Sequence, residues 1–203
     1  ARGGLAVAMP TDLTDLDAVD ALVAEAGPVD ILINNAGRSI RRPLLESLDR
    51  WHDVERTISL NYYAPLRLIR GVAPGMVERG DGHIINVSTW GVKTESPPLF
   101  GAYNASKAAI HMLTESLRLQ LSDTSVALKE LVPPSVATDL LPGQRESPFA
   151  MPLDDFIAEV MQILESDPDG KEIQVERVKF LRYAEVRGDY DDVVRTLNES
   201  DPN

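Results

Sequence analysis

The segment Tyr103-Asn104-Ala105-Ser106-Lys107 carries the residue types that acid–base chemistry needs. Residues four apart on a helix share a face, so the phenol of Tyr103 and the ammonium of Lys107 are predicted to point into the same space. A free tyrosine has a pKa of about 10, and a cation about 4 Å away in a shielded site supplies roughly 4 kcal/mol toward lowering it. We expect this pair to move a proton to or from a substrate oxygen.

Two hydroxyl side chains follow the apolar run 83–87, which is predicted to be a strand. Ser88 and Thr89 would then lie at the carboxyl end of that strand, where α/β proteins bind their ligands. Because alternate side chains of a strand face opposite sides, at most one of them is expected to reach the site. The residues alone leave both Thr89 and Ser88 as candidates for that hydroxyl.

Asn34-Asn35-Ala36-Gly37 directly follows a second apolar run, at 29–33. At the carboxyl end of a strand, the small Ala36 and Gly37 would let the backbone approach a flat ligand. Asn61 lies four residues before Pro65, which has no N–H group, so the Asn61 carbonyl loses its helical partner. The helix is predicted to kink there and to offer that carbonyl to water.

Taken in order, these motifs resemble the short-chain dehydrogenase/reductase family from residue 5 to about residue 138. The resemblance implies a doubly wound Rossmann-type parallel sheet in three α/β/α layers, with NAD or NADP as the cofactor. It implies that Tyr103 is the general acid/base and that Asn61 positions a water in a proton relay. Thr89 matches the position of the family's catalytic hydroxyl, with Ser88 as the alternative. Lys107 would lower the pKa of Tyr103 and hold the nicotinamide ribose. The expected reaction transfers hydride between the cofactor and a small-molecule carbonyl/alcohol substrate.

The resemblance also implies a cofactor site. Asp12 matches the acidic residue that contacts the adenine, and the loop 133–138 resembles the one whose threonine bonds the carboxamide. The implied cofactor-binding residues are Asp12, Asn34, Ala36, Gly37, Tyr103, Lys107, Pro133, Val136 and Thr138. The segment 131–140 and the helix beginning near Met151 resemble the subgroup named for association with D-alanyl teichoic acid genes.

Strand and helix patterns alternate along the chain and predict one domain over residues 1–203. Strands are predicted at 5–9, 29–33, 83–87, 125–132 and 173–178. Helices are predicted from a cap at Thr14 to Ala26, and at 51–76, 101–122 and 153–164.

No Gly-rich turn of the kind that cradles a pyrophosphate occurs in the sequence. The run 5–9 matches the third strand of the family, so the domain is expected to lack its first two strand–helix units, about 50 residues. In the strand order 3-2-1-4-5-6 this omission would leave a gap beside the strand at 29–33. We therefore expect the chain as written to bind nicotinamide cofactor poorly.

Composition excludes several classes of function. The net charge of −12 argues against nucleic acid, because no basic stripe is available for phosphates. No apolar run reaches the roughly 20 residues of a membrane helix, and zero cysteines exclude a thiolate nucleophile and sulfur-ligated zinc. The three histidines show no metal-ligand spacing, so no metal is expected.

These observations predict a cytoplasmic enzyme, and the family resemblance adds a homodimer or homotetramer. Two alternatives stay open at this point: a non-catalytic relative that senses the cofactor, and a sugar-nucleotide epimerase or dehydratase.

Overall fold

The computed structural model describes residues 4–92 and 100–200. One parallel sheet carries the fold, with its strands in the order β1 (Ile31–Asn34), β2 (Gly82–Val87), β3 (Val126–Leu131) and β4 (Glu172–Ile173). The register pairs Asn34 with Asn86, so the polar ends of β1 and β2 lie side by side. The predicted parallel α/β sheet is confirmed, and β1 begins two residues later than expected.

Eight helices accompany the sheet in the described part of the chain. They are α1 (Leu16–Ala26), α2 (Trp51–Ile58), α3 (Ala64–Arg79), α4 (Gly101–Gln120), α5 (Leu153–Ser166), α6 (Glu176–Arg182), α7 (Ala184–Arg187) and α8 (Tyr190–Ser200). One apolar core joins α3 to the sheet through Ile69, Met76 and Ile84. A second core joins α5 and α6 to the end of β4 through Phe156, Ile173 and Val178.

The amino end of α1 is capped by Asp15, not by Thr14 as the sequence suggested. The Asp15 carboxylate accepts from the backbone N–H groups of Asp17 and Ala18, at 3.0 and 3.2 Å. Thr14 instead donates to Asp12 from both its backbone and its hydroxyl. A carboxylate one residue later therefore takes the capping position.

The long helix predicted over 51–76 is interrupted at the expected place. Between α2 and α3 the chain forms a π-helical stretch, Ser59–Tyr63, and the N–H of Ala64 donates to the carbonyl of Ser59. Pro65 cannot donate to Asn61, so the regular pattern of the α-helix cannot continue there. The interruption takes the form of one wide turn, and Asn61, whose carbonyl was predicted to face water, is only 1% exposed.

Two strand predictions are wrong. Residues 5–9 form no strand and pair with no strand in the described ranges, and Leu5 is 96% exposed. At the other end β4 stops at Ile173, and Val178 lies on α6. Val175, Val178 and Arg182 are all buried, so this segment has the three- and four-residue spacing of a helical face.

Among the described residues, no helix combines the length and the apolar character needed to cross a membrane.

Candidate functional site

The carboxyl end of β2 and the first turns of α4 bring the predicted acid–base residues together. Thr89 and Tyr103 line the same cavity, and the Thr89 hydroxyl acts on the phenol in the direction that lowers its pKa. Ser88 points elsewhere, since its hydroxyl lies 3.5 Å from the main-chain oxygen of Leu131 on β3. The geometry therefore places Thr89, rather than Ser88, beside the phenol.

Lys107 lies one helical turn after Tyr103 and is buried. Its Nζ donates to the main-chain oxygen of Val87 at 2.7 Å and lies 6.0 Å from the centre of the Tyr103 ring. Burial lowers the pKa of Lys107 from 10.5 to about 8, because an ammonium is less stable away from water. At pH 7 most of the population is still charged.

The pKa of Tyr103 is raised, which corrects the expectation that it is lowered. Removal of the phenol from water raises this pKa, and the hydrogen bond from Thr89 only partly opposes that effect. The lysine ammonium lies 6.0 Å from the ring centre and is not among the groups that lower this pKa. Tyr103 is therefore a neutral phenol at neutral pH.

A buried chain of polar side chains links the end of β1 through β2 to α4. Asn34 Nδ2 donates to Asn86 Oδ1 at 2.8 Å, and Asn86 Nδ2 donates to Thr114 Oγ1 at 2.9 Å. Asn34 Oδ1 is buried, and none of the described residues gives it a hydrogen-bond partner. A buried acceptor left open beside the site is suited to a ligand donor, because an unsatisfied polar group is costly.

Asn61 uses its side chain to hold the loop that follows Gly37. Its Oδ1 accepts from the backbone N–H of Arg38 at 2.8 Å, and its Nδ2 donates to the Arg38 carbonyl and to Ser106 Oγ, each at 2.9 Å. A Cβ at Gly37 would lie 3.6 Å from both Asn61 Oδ1 and Lys107 Nζ. Gly37 therefore lies directly against two of the predicted catalytic side chains. Ala36, next to it, is exposed.

The remaining predicted cofactor residues fall into two places. The loop after β3 is anchored at Val136, which bridges to Met151, and the N–H of Thr138 donates to the carbonyl of Val136 at 2.8 Å. The Pro133 carbonyl accepts from the N–H of Trp90, next to Thr89. Asp12 makes local bonds with Thr14 that lower its pKa, so its contacts do not join it to the Tyr103 group.

Two cavities meet at Tyr103. The larger, of about 730 Å³, is lined on one side by Thr89, Trp90 and Phe100 and on the other by Pro134 and Leu141. The smaller, of about 360 Å³, lies between α2 and α4. Both sizes fall in the range of small-molecule pockets, about 300–1,000 Å³.

Several buried polar residues near the site were not predicted from the sequence. Asn86 and Ser106 looked like ordinary strand and helix positions, and only the fold shows that they brace Asn34 and Asn61. His111 Nδ1 lies 2.7 Å from Glu130 Oε2, with Glu115 and Glu172 nearby. Sequence spacing could not reveal this cluster, which α4, β3 and β4 assemble.

Two arginines pair with carboxylates of the cluster formed by His111, Glu115, Glu130 and Glu172. Arg182 Nη2 lies 2.7 Å from Glu172 Oε1, and Arg118 pairs with Glu115.

Comparison with known proteins assigns the family. The family model described as short chain dehydrogenase matches residues 1–148. A fatty acyl-CoA reductase of Mycobacterium tuberculosis is 60% identical over 143 residues, which cover 68% of this chain and 49% of that protein. A fatty acyl-CoA reductase of Acinetobacter baylyi is 42% identical over 144 residues, or 69% of this chain and 48% of that protein. The chain thus spans about half the length of these relatives.

Solved structures share the fold. A short-chain dehydrogenase of Burkholderia cenocepacia in complex with NADP has a TM-score of 0.79 at 24% identity, covering 94% of this chain and 80% of that one. One from Sphingobium yanoikuyae in complex with NADPH has a TM-score of 0.71 at 26% identity, covering 95% and 74%. With the family model matched over most of its length, the chain belongs to the short-chain dehydrogenase family of NAD(P)-dependent oxidoreductases.

Proposed function

We propose that the chain carries the acid–base site of an NAD(P)-dependent reductase, with Tyr103 as the acid that protonates the carbonyl oxygen. The observation that carries this proposal is that Thr89 and Tyr103 line the same cavity, with the Lys107 ammonium one turn along the same helix. A phenol whose pKa is raised by burial keeps its proton until a substrate oxygen develops negative charge. The Thr89 hydroxyl would hydrogen-bond the same oxygen and orient it toward Tyr103.

The residues at the carboxyl ends of β1 and β2 fit a nicotinamide cofactor. Asn34 Oδ1 is a buried acceptor that has no hydrogen-bond partner among the described residues. Gly37 has no side chain, so a ligand can approach the backbone there. Lys107 has N–H groups beyond the one that bonds Val87. Pro133, Val136 and Thr138 would close the nicotinamide side. When bound, the cofactor supplies the hydride. The chain's own part is to hold the carbonyl and deliver the proton.

The substrate class that we propose is a fatty acyl thioester, with the fatty aldehyde as its product and second substrate. Both relatives named above are called fatty acyl-CoA reductases. The larger cavity supports this class, because it reaches Tyr103 and part of its wall is apolar; that part includes Ile40, Trp90, Phe100, Leu140, Leu141 and Phe149. The acyl chain would lie there.

The thioester step conserves atoms and charge. One hydride adds to the carbonyl carbon and one proton comes from solvent through Tyr103. The carbon–sulfur bond breaks, and the products are the aldehyde, the free thiol and the oxidised cofactor. Tyr103 is the proton donor nearest to the reacting oxygen in this scheme.

We also propose a homo-oligomer that uses the outer faces of the helices around the site. Large apolar side chains are exposed there, Tyr63 at 47%, Met112 at 63% and Leu119 at 78%. Exposed apolar side chains on neighbouring helices are typical of a protein–protein contact. Sedimentation of the wild-type protein and of a Met112→Lys/Leu119→Lys variant tests it, since the variant is expected to be monomeric.

The experiment for the reaction is oxidation of NADPH and NADH by the full-length protein in the presence of dodecanal or dodecanoyl-CoA. We expect reduction of both, and loss of both in Tyr103→Phe. A protein that binds cofactor but reduces no carbonyl would favour a cofactor-sensing role. Reduction of short polar ketones alone would contradict the proposed substrate class.

A further inference from the structure

We propose that Arg38, Arg42 and Arg50, gathered around Asp53, form a phosphate-binding site for the coenzyme A part of the substrate. The inference rests on the proposed function, since it takes an acyl-CoA as the ligand. It adds a second contact region to the site, separate from Tyr103 and from the residues assigned to the cofactor.

The geometry around Asp53 concentrates positive charge. Arg38 Nη2 lies 3.2 Å from Asp53 Oδ1, and Arg42 Nε and Arg50 Nε lie 3.2 and 3.3 Å from Asp53 Oδ2. One carboxylate cannot neutralise three guanidinium groups, which stay charged at any physiological pH. The cluster therefore carries a net charge of about +2 in a protein whose total is −12.

Asp53 acts as the anchor of the cluster. Its side chain is buried, whereas the three arginines are each about one-third to two-fifths exposed. Burial would raise the pKa of Asp53, but its hydrogen bond with Arg50 and the charges of Arg50, His52 and Arg42 outweigh this effect and lower it. A permanently charged carboxylate thus holds the arginine stems in place while their outer N–H groups remain available.

The cluster is incompletely satisfied by the protein itself. Within the described ranges Arg42 Nε has no hydrogen-bond partner, although it lies 3.2 Å from Asp53 Oδ2. Guanidinium groups bind phosphate oxygens through paired N–H donors, a geometry that a single shared carboxylate cannot offer to three arginines. A phosphate group at the surface of the cluster would accept from the outer N–H groups of the arginines, whose side chains are partly exposed.

The smaller cavity connects this cluster to the site of reaction. Arg42, Arg50, Asp53 and Tyr103 all line it. The rest of its wall is mostly apolar and includes Leu44, Leu48, Trp51 and Val54. Its 360 Å³ is too small for a long acyl chain together with a nucleotide, so the acyl chain is assigned to the larger cavity. The narrow arm of the thioester carrier fits the smaller one, with its phosphates at the arginines.

The test compares the wild-type protein with an Arg42→Gln/Arg50→Gln variant on three substrates with the same acyl chain. Dodecanoyl-CoA carries the phosphates, dodecanoyl-pantetheine lacks them, and dodecanal lacks the carrier entirely. We expect the KM for dodecanoyl-CoA to rise at least tenfold in the variant, the loss of about 1.4 kcal/mol of binding. The KM values for the other two substrates are expected to stay within twofold.

Arg67→Gln is the matched control. Arg67 is 40% exposed, close to the 41% of Arg50, and it pairs with Asp20 away from both cavities. This control is expected to leave all three KM values unchanged. Equal losses on all three substrates in the double variant, or no loss on dodecanoyl-CoA, would overturn the proposal. A parallel loss of NADPH affinity would overturn it as well, because the arginines would then serve the cofactor phosphate.

Binding of free coenzyme A keeps the inference separate from the proposed function. Calorimetric titration is expected to show binding to the wild-type protein and at least tenfold weaker binding to the double variant, at equal melting temperatures. If the protein reduces none of the substrates, the proposed function fails. The titration still tests whether the arginines bind coenzyme A. Equal affinity of wild type and variant for coenzyme A would refute it.

Discussion

Lys107 donates a hydrogen bond from Nζ to the main-chain oxygen of Val87, 2.7 Å away. This bond fastens the catalytic helix α4 to the carboxyl end of β2, the strand that leads to Thr89. The ammonium that makes it is buried, and its pKa falls from 10.5 to about 8 for that reason. The site thus contains a charge whose burial costs the fold about 3 kcal/mol near neutral pH.

The first prediction concerns stability against pH. Between pH 8 and 10.5 the unfolded chain keeps the Lys107 proton while the folded chain loses it, so this group makes stability rise with pH there. From pH 7 to 9.5 the free energy of unfolding of the wild-type protein is expected to rise by about 2 kcal/mol relative to that of Lys107→Met, because methionine has no charge to bury. Urea unfolding of both proteins at the two pH values measures it. A difference between the two proteins that does not change with pH would contradict the assigned pKa.

Replacement of Lys107 is also expected to damage function. Lys107→Ala removes both the cation beside Tyr103 and the donor proposed for the nicotinamide ribose. Turnover and cofactor affinity should therefore fall together in the full-length protein, measured by steady-state kinetics and by cofactor fluorescence. If cofactor affinity is unaltered, Lys107 does not hold the ribose and its role is limited to the acid–base step.

The second prediction isolates the acid. Tyr103→Phe keeps the ring and its packing but removes the proton, so turnover should fall at least about 100-fold, the usual size of a general-acid contribution. Cofactor affinity should change less than threefold, since the ring still fills its place. Near-normal turnover in this variant would assign the acid to another group.

The third prediction separates the two neighbouring hydroxyls. Valine has the same shape as threonine but no hydroxyl to act on Tyr103. We therefore expect kcat/KM to fall about 100-fold in Thr89→Val. Ser88→Ala is the matched control, because the Ser88 hydroxyl faces Leu131 and should be dispensable. The reverse pattern would transfer the role to Ser88.

Most of the sheet and its flanking helices could be predicted from local patterns. Apolar runs predicted β1, β2 and β3. Pro65 predicted the break in the long helix, and the structure has a π-helical stretch there. The failures share a physical cause. Residues 5–9 have the composition of a strand, but a strand needs a partner, and none in the described ranges pairs with them. The segment near Val178 was read by composition, whereas its burial follows a helical face.

The site was predictable in its residue types and less so in its electrostatics. Spacing placed Lys107 next to Tyr103, and the structure agrees, but burial reverses the predicted direction of the Tyr103 pKa. Desolvation depends on everything that packs around the phenol, which no spacing rule contains. The cluster of arginines around Asp53 could not be predicted either. Arg38 and Arg42 lie in a loop and Arg50 lies just before α2, so they come together only when the chain folds.

The last prediction concerns Asn61, whose side chain joins the loop after Gly37 to the catalytic helix. It bonds both backbone groups of Arg38 and the hydroxyl of Ser106, and Ser106 in turn donates to the Tyr103 carbonyl. Asn61→Ala would leave these buried groups without partners, at a cost of about 2–3 kcal/mol. For a protein of this size that corresponds to a fall in Tm of about 5–10 °C. Turnover should fall further than stability alone explains, because Arg38 and Tyr103 both lose their support.

Asn198→Ala is the control for Asn61, since the bond that Asn198 makes among the described residues is to the Val194 carbonyl of its own helix. Its Tm is expected to change by less than about 3 °C, the effect of a substitution worth under about 1 kcal/mol. The measurement is thermal unfolding of both variants, with turnover assayed well below either Tm. If Asn61→Ala has the same Tm as Asn198→Ala and keeps wild-type turnover, the Asn61 side chain does not hold the loop against α4. If it melts early but keeps full turnover below its Tm, Asn61 supports the fold and does not position Tyr103.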